Sequence, residues 1–201
     1  MLRTVTMDKT LEYYEKNAEA FTAGTIKADM EDTRRRFTRN LPQEARILDL
    51  GCGSGRDTKA FLEEGFAVDA VDGSPALCLK ASELTGIEVR PMLFHELDAE
   101  ELYDGIWACA SILHLPKPEL LDVFQKTAAA LKEDGILYAS FKYGDGEGFR
   151  NGRYFTDFTE GSLESFLEQV PVLRIFDSWI TQDVRPGREE ERWINILARK
   201  M

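Results

Sequence analysis

The sequence predicts an α/β fold in which helices cover both faces of a mainly parallel sheet. Short apolar segments alternate with helical segments along most of the 201 residues. A glycine-rich turn follows the first apolar segment, and no helix separates the last two extended segments. Alternation of strand and helix is typical of parallel sheets that are buried on both faces. The last two strands must then pair antiparallel, because a parallel pair needs a long crossover connection.

The helical segments are predicted from apolar spacing and from capping residues. Pro42 ends the second helix, because proline cannot continue a helix comfortably. Ser74 and Pro75 favour the start of another, since serine caps a helix N-terminus and proline fits the first turn. In chain order, the predicted helices cover residues 8–21, 26–41, 57–64, 74–84, 118–131 and 159–169.

The strands are predicted from short apolar runs that end at turn residues. The glycine-rich stretch after the fifth strand is predicted as a loop, and a turn with Pro186 and Gly187 separates the last two strands. In chain order, the predicted strands cover residues 45–50, 67–72, 87–93, 105–110, 136–141, 172–184 and 193–199.

Composition limits the classes of function. The net charge is −11, with 36 acidic and 25 basic residues, and a nucleic-acid-binding protein needs a basic footprint. No apolar run approaches the roughly 20 residues that span a membrane. The three cysteines, Cys52, Cys78 and Cys109, are too few and too scattered for a disulfide framework or a zinc site, which favours a cytoplasmic location. The acidic residues also lack the clustered spacing of a magnesium site, so no metal is expected.

The glycine-rich turn is the sharpest local motif. Glycines 51, 53 and 55 follow Asp49 at alternate positions, between a predicted strand and a helix. A loop without Cβ atoms lets the backbone approach a ligand closely. Dinucleotide-binding loops have the spacing Gly-x-Gly-x-x-Gly, and here Arg56 stands where their third glycine permits close packing. A tight turn with no ligand is the alternative interpretation.

This loop resembles the S-adenosylmethionine (SAM)-binding motif of the class I SAM-dependent methyltransferases, particularly small bacterial enzymes of the small-molecule and tellurite-resistance-like branch. The resemblance implies a doubly wound seven-stranded sheet of order 3-2-1-4-5-7-6, with strand 7 antiparallel. It implies one domain over residues 1–201, with residues 1–41 as a helical lid. SAM would be the cofactor and S-adenosylhomocysteine the product. The residues implied around the methionine part of the cofactor are Asp49, Gly51, Gly53, Gly55, Ala108 and Cys109, and the further cofactor-binding candidates are Cys52, Arg56 and Tyr14.

Asp72 ends the second predicted strand, 21 positions after Gly51. A carboxylate at that place can accept hydrogen bonds from both ribose hydroxyls, which suits SAM and NAD equally. The resemblance places Gly73 and Ser74 beside the adenine ring. After the third strand the family usually has an acidic residue, and this chain instead has a stretch that departs from that pattern. Its adenine-contact candidates are Phe94, His95 and Glu96.

After the fourth strand, the Asn/Asp-Pro-Pro-aromatic signature of amide and adenine-N6 methyltransferases is missing. The stretch ends at His114, as in many small-molecule methyltransferases. His114 is the candidate general base, because its ordinary pKa lies near neutrality. A structural histidine is the alternative. Tyr143 is a second candidate for the same role.

Basic and aromatic residues concentrate on two loops that follow strand five and precede strand seven. Arginine is the natural partner of a carboxylate or phosphate. These loops therefore predict a small anionic acceptor, although pairing with nearby acidic residues would explain the same cations. The candidate acceptor-binding residues are Lys142, Arg153, Tyr154, Arg185, Arg192 and Trp193.

The function predicted from the sequence is therefore methyl transfer from SAM to a small, anionic acceptor. No nucleic-acid or membrane partner is expected, and the chain is expected to be a monomer or a homodimer. Three alternatives stay open: an RNA or protein methyltransferase, a non-catalytic SAM-binding protein and, with less support, an NAD(P)-dependent oxidoreductase.

Overall fold

The computed structural model describes the backbone of residues 2–201 and the side chains of residues 9–201. The helices are α1 Leu2–Thr25, α2 Glu31–Thr38, α3 Arg56–Glu63, α4 Pro75–Thr85, α5 Lys117–Ala130 and α6 Glu160–Leu167. The strands are β1 Arg46–Leu50, β2 Ala67–Asp72, β3 Val89–Pro91, β4 Tyr103–Ala108, β5 Leu131–Lys142, β6 Glu147–Arg150, β7 Arg153–Thr156, β8 Leu173–Gln182 and β9 Arg192–Lys200. Among these described helices, none has the length and apolar character that a membrane crossing requires.

Seven strands form one sheet of order β3-β2-β1-β4-β5-β9-β8. Strands β1 to β5 pair in parallel. Strand β9 lies antiparallel to both of its neighbours, β5 and β8. The predicted doubly wound fold is confirmed, with β8 and β9 as the predicted sixth and seventh strands.

The core lies on both faces of this sheet. Successive residues of a strand point to opposite faces. In β1, Ile47 packs with Phe37 and Trp107 on one face. Its neighbour Leu48 joins a larger cluster that includes Phe124 on the other face. This two-sided burial explains why apolar residues stand at consecutive positions of β1, as Ile47 and Leu48 do.

The segment after β5 is a hairpin rather than the predicted loop. Strands β6 and β7 pair antiparallel, with Arg150 opposite Arg153. The two residues between them, Asn151 and Gly152, have φ of 49° and 79°. Positive φ at both central positions is the type I′ geometry that Asn-Gly favours. The Asn-Gly pair was the sequence signal for this hairpin.

The N-terminal region also differs from the prediction. Helix α1 continues to Thr25, and α2 covers 31–38 instead of 26–41. The Asp29 side chain accepts a hydrogen bond from the Glu31 backbone N–H at 2.9 Å, which satisfies one of the free donors in the first turn of α2. Helix α1 packs against α4 and β7, which brings it across the carboxyl ends of the parallel strands.

Candidate functional site

The glycine loop, residues 51–55, joins β1 to α3 at the carboxyl edge of the sheet. Gly51 has φ of 81°, a left-handed conformation that favours glycine. A Cβ atom at Gly51 would lie 2.5 Å from Cβ of Ser111. The Gly51 N–H donates to the Val71 carbonyl at 2.9 Å. The loop is thus held close to the ends of β2 and β4, where only a residue without a side chain fits.

Asp72, at the end of β2, faces the glycine loop. Its two carboxylate oxygens accept hydrogen bonds from the backbone N–H groups of Gly53 and Ser74, both at 2.9 Å. Burial raises the pKa of Asp72, although these hydrogen bonds oppose the shift. Each oxygen keeps a further lone pair, so the carboxylate can still accept hydrogen bonds from a ligand in the cavity.

Asp49 is a second buried carboxylate beneath the loop. Its Oδ2 accepts a hydrogen bond from the Thr58 hydroxyl at 2.6 Å. Burial and the neighbouring charge of Asp57 raise the pKa of Asp49 to about 7. A cationic group placed nearby would favour the ionised form of this acid.

Arg56 takes part in a buried ion cluster. It donates from Nε and Nη2 to the two carboxylate oxygens of Asp57. Arg34 and the indole N–H of Trp107 donate to the same carboxylate at 2.9 and 3.0 Å. Burial alone would raise the pKa of Asp57, but the two arginines hold it below its ordinary value. Arg56 lies on the cavity wall with its charge already paired, and Nη2 is 3.9 Å from the Cys109 sulfur.

The loop and Asp72 form one end of a cavity of about 590 Å³, a volume typical of small-molecule sites. We call this end the cofactor half; it is walled by the glycine loop and by the ends of β2 and β3. The acceptor half is walled by the end of β5, by the β6–β7 hairpin and by the turn between β8 and β9. Of the predicted residues, those on the wall are Asp49, Gly51, Cys52, Gly53, Arg56, Asp72, Gly73, Phe94, Cys109, Tyr14, His114, Lys142, Tyr143, Arg153, Arg185, Arg192 and Trp193.

His114 lies where the two halves meet, and both of its ring nitrogens are hydrogen bonded. Nδ1 lies 2.6 Å from the Tyr154 carbonyl oxygen, and Nε2 lies 2.7 Å from the Tyr14 hydroxyl. Burial, together with the positive charges of Arg153 and Arg150, lowers the pKa of His114 to about 4. The imidazole is therefore neutral at neutral pH.

Most cations of the acceptor half have acidic partners. Arg185 forms a two-armed ion pair with Asp183. Lys142 contacts both Asp183 and Glu191. Beyond these, Arg150 pairs with Asp157 and Arg188 pairs with Glu191. These cations are held by the protein itself, as the alternative interpretation of the two loops anticipated.

Arg153 and Arg192 differ from the other cations, because no carboxylate of residues 9–201 forms an ion pair with either. The Arg153 guanidinium lies 4.6 Å from the Tyr13 ring centre and 5.2 Å from that of Phe155. Its buried Nε has no hydrogen-bond partner among the described atoms. Arg192 stacks on Tyr143 at 4.4 Å. Both guanidinium groups are oriented by aromatic rings and keep donors for an anion.

The second base candidate, Tyr143, donates its hydroxyl hydrogen to Glu160 at 2.9 Å. That hydrogen bond and the charge of Glu160 raise the pKa of Tyr143. The tyrosinate form that would serve as a base is therefore disfavoured at neutral pH.

Six predicted site residues do not lie on the cavity wall. In β7, Arg153 and Phe155 face the cavity, so the intervening Tyr154 points to the other side and bonds to Glu147. Ser74 caps α4 instead of facing a ligand. The six residues outside the wall are Gly55, Ser74, His95, Glu96, Ala108 and Tyr154.

The wall also contains residues that sequence reasoning missed. Met92 and Leu93 line the cofactor half beside Phe94, because β3 ends at Pro91 rather than at 93. Leu11 lines it from α1, next to Phe21, which belongs to the predicted helical lid. Leu11 lies so close to Gly73 that a Cβ on this glycine would be 2.6 Å from it. The helical spacing of apolar residues in α1 was the available signal for Leu11.

The residues of the cofactor half fit a SAM molecule. The glycine loop provides an approach that a Cβ atom would fill, and Asp72 supplies acceptors for ribose hydroxyls. Asp49 places a second carboxylate on the same wall, which suits the positive charge of a sulfonium or an ammonium group.

Comparison with known proteins supports this interpretation. Residues 47–135 match the family model of a methyltransferase domain. YqeM of Bacillus subtilis, assigned as a methyltransferase, is 32% identical over 115 residues, which are 51% of this chain and 46% of the relative. The ubiquinone biosynthesis O-methyltransferase of Xanthomonas campestris is 32% identical over 104 residues, which are 48% of this chain and 42% of the relative. These matches thus cover less than half the length of the curated relatives.

A solved structure matches nearly the whole chain. The 1,6-didemethyltoxoflavin-N1-methyltransferase of Burkholderia thailandensis has a TM-score of 0.76 and 26% identity. The match covers 98% of this chain and 87% of that enzyme, which was crystallised with 1,6-didemethyltoxoflavin and S-adenosylhomocysteine. The family-model match and the solved structure support a class I SAM-dependent methyltransferase, the family that the glycine loop resembles.

Proposed function

We propose that this protein transfers a methyl group from SAM to a small anionic acceptor with an aromatic or other planar body. The observation that carries the proposal is the cavity itself. One continuous wall contains the glycine loop and Asp72 in the cofactor half and two arginines without ionic partners in the acceptor half. His114 and Tyr14 lie between them.

The charge of the cavity wall changes sign along its length. The cofactor half carries three acids and one base, a formal charge of −2, from Asp49, Asp57, Asp72 and Arg56. The acceptor half carries six bases and four acids, a formal charge of +2, from Lys142, Arg150, Arg153, Arg185, Arg188, Arg192, Asp157, Asp183, Glu190 and Glu191. In a chain of net charge −11, a positive acceptor half favours an anion.

Aromatic rings on the acceptor half favour a planar acceptor. Trp193 and Phe155 lie on the wall, and Tyr143 lies under Arg192. Flat rings can stack on an acceptor while the arginines bind its charge. The Burkholderia relative, which was crystallised with a small molecule, is consistent with an acceptor of this size.

The protein's own contribution is to bind, orient and exclude water. SAM, when bound, supplies an electrophilic methyl group on a sulfonium. The glycine loop and Asp72 would fix the position of the cofactor, and Arg153 and Arg192 would fix the acceptor. Helix α1 covers the cofactor half through Leu11 and Phe21 and would keep water out. Alignment of two reactants in a closed site accounts for a large share of the rate in such a displacement.

The first test is calorimetric titration with S-adenosylhomocysteine, with NADH as the comparison. We expect micromolar binding of S-adenosylhomocysteine and no binding of NADH, because Arg56 and its ion pair occupy the place of the third dinucleotide glycine. Binding of NADH alone would contradict the proposal. Aromatic carboxylates, phenols and thiols are then screened with SAM, and formation of S-adenosylhomocysteine is measured.

Substitution of the two unpaired arginines tests the acceptor half. Arg153→Ala and Arg192→Ala should each raise the acceptor KM about ten- to a hundredfold, the loss expected for a hydrogen bond to a charged group. The dissociation constant of S-adenosylhomocysteine should stay the same. Arg46→Ala is the matched control, since Arg46 pairs with Asp69 at the opposite end of β1. An unchanged KM in both variants would refute the assignment of an anion site.

A further inference from the structure

The proton positions around His114 follow from its partners. A backbone carbonyl can only accept a hydrogen bond, so Nδ1 of His114 carries a hydrogen and donates it to Tyr154. The neutral imidazole therefore accepts at Nε2, and the donor is the Tyr14 hydroxyl. Arg153 Nη1 in turn donates to the Tyr14 oxygen at 3.4 Å. The chain of donors runs in one direction, from Arg153 through Tyr14 and His114 to a carbonyl.

The charges that face this histidine oppose its protonation. Tyr14 from α1 contacts it, and the β6–β7 hairpin brings Arg150 and Arg153 near it. Arg150 is paired with Asp157, whereas Arg153 is not. No carboxylate of residues 9–201 forms an ion pair with the His114 ring. An imidazolium would thus be a second buried cation beside an unpaired guanidinium, with no counter-charge in contact.

The side chain that would face the acceptor is therefore that of Arg153, which is cationic and donates hydrogen bonds. Arg153 has an unbonded buried Nε and a guanidinium fixed between the rings of Tyr13 and Phe155. It lies at the meeting point of the two halves through its contact with Tyr14. A base at this point would need a free lone pair directed at the acceptor, and the only nitrogen lone pair of His114 is already bonded to Tyr14.

From this arrangement we infer that the acceptor reacts as an anion, bound at its nucleophilic atom by Arg153. We infer also that His114 is a positioning residue: it accepts the Tyr14 hydrogen, so that the Tyr14 oxygen is turned to Arg153 Nη1 and orients the guanidinium. The inference rests on the proposed function and narrows it to acceptors whose O–H, S–H or N–H ionises near neutral pH. When the methyl group passes from the sulfonium of SAM to an anion, the sulfonium loses its positive charge and the anion loses its negative charge. The reaction then releases no proton at the site and needs no general base.

A spectroscopic probe tests the state of the bound acceptor. The probe is 4-nitrophenol, whose phenolate has its own visible absorbance, added to the complex of protein and S-adenosylhomocysteine. We expect the bound probe to be ionised at a pH at which the free probe is mostly protonated. Its apparent pKa should be lowered by about one unit or more, because the Arg153 cation favours the phenolate. Arg153→Gln should abolish the shift. Binding of the protonated phenol, or no binding of the probe, would overturn the inference.

The His114→Asn variant separates positioning from base catalysis. The side-chain amide can still accept from Tyr14, so the probe's lowered pKa should persist, and any acceptor found in the screen should keep its pH dependence of kcat/KM. If kcat/KM falls at low pH in the wild type but not in the His114→Asn variant, the titrating group is His114. That result would identify His114 as a base and refute the inference. His114→Leu, which cannot bond to Tyr14, should lower kcat at least tenfold without changing that pH profile.

Nuclear magnetic resonance gives a readout that needs no acceptor. The chain has two histidines, and His95→Gln leaves His114 alone. Its ¹⁵N shifts should show a neutral ring with hydrogen on Nδ1 from pH 8 to about pH 5. A ring that is cationic at pH 6 would contradict the inference. Failure of the proposed function is distinct, because the protein would then not bind S-adenosylhomocysteine at all.

Discussion

At the scale of single residues, Asp49 shows how a buried acid can be both costly and useful. It lies beneath the glycine loop with the Thr58 hydroxyl as its hydrogen-bond donor. Burial and Asp57 raise its pKa from 3.8 to about 7. The cost of keeping it ionised can be recovered only when a cation lies near it, as the sulfonium or ammonium group of SAM would under the proposed function.

Asp49→Asn should change how stability depends on pH. The folded state binds the proton more tightly than the unfolded state, so the stabilisation is present below pH 4 and is lost as the pH rises through about 7. The asparagine variant does not titrate here. Relative to the wild type, its free energy of unfolding should therefore rise by about 2–4 kcal/mol between pH 4 and pH 8. Urea unfolding at several pH values measures this, and parallel profiles for the two proteins would contradict it.

At the scale of elements, the Glu15 side chain connects helix α1 to the start of helix α4. The Glu15 carboxylate accepts hydrogen bonds from the Ser74 hydroxyl at 2.6 Å and from the Ala76 N–H at 3.1 Å. These donors lie at the N-terminus of α4, where a negative charge is stabilising. Ser74 also donates its backbone N–H to Asp72. A single carboxylate thus connects α1 to the turn that holds the ribose-binding candidate.

Glu15→Ala should loosen this connection. We expect a loss of about 1 kcal/mol in the free energy of unfolding, the usual contribution of a capping contact, and a several-fold faster release of S-adenosylhomocysteine. Stopped-flow displacement and urea unfolding measure the two effects. Glu12→Ala is the matched control, because exposed Glu12 contacts only Lys16 on the same helix among the described residues. Equal effects of the two substitutions would argue against a specific role for Glu15.

The sequence predicted the sheet and the cofactor half better than it predicted the acceptor half. Asp72 and the glycine loop follow buried strands directly, so the order of strands fixes their place. The acceptor half depends on a hairpin and a turn, which have no hydrophobic periodicity that would predict them. It also depends on which of its cations form ion pairs with acidic residues. Nothing in the sequence distinguishes Arg185, which pairs with Asp183, from Arg192, which does not. The same limit applies to His114, whose partners Tyr14 and Tyr154 are distant in the chain.

At the scale of the whole molecule, the charge distribution separates the proposed small-molecule function from the RNA alternative. A polyanion would meet a surface of net charge −11, while a small anion meets only the positive acceptor half. We therefore expect mixed tRNA not to bind at moderate salt in a filter-binding assay. The KM of the small acceptor should change little with added salt, because one or two contacts release few counterions. Tight, strongly salt-dependent tRNA binding would favour the RNA methyltransferase alternative.

The position of α1 across the cofactor half has a kinetic consequence. Leu11 lies against Gly73, Phe21 lies against Gly53, and Thr25 bonds to Ser54, so the helix covers one end of the cavity along much of its length. The acceptor half is bounded partly by α1, through Tyr13 and Tyr14, and partly by the β6–β7 hairpin and the β8–β9 turn. Under the proposed function, the methylated product would leave past the turn while α1 stays in place, and exchange of the spent cofactor would require the helix to detach. Binding should be ordered, with SAM first and S-adenosylhomocysteine last, and the turnover rate would follow the movement of a helix rather than the transfer of a methyl group.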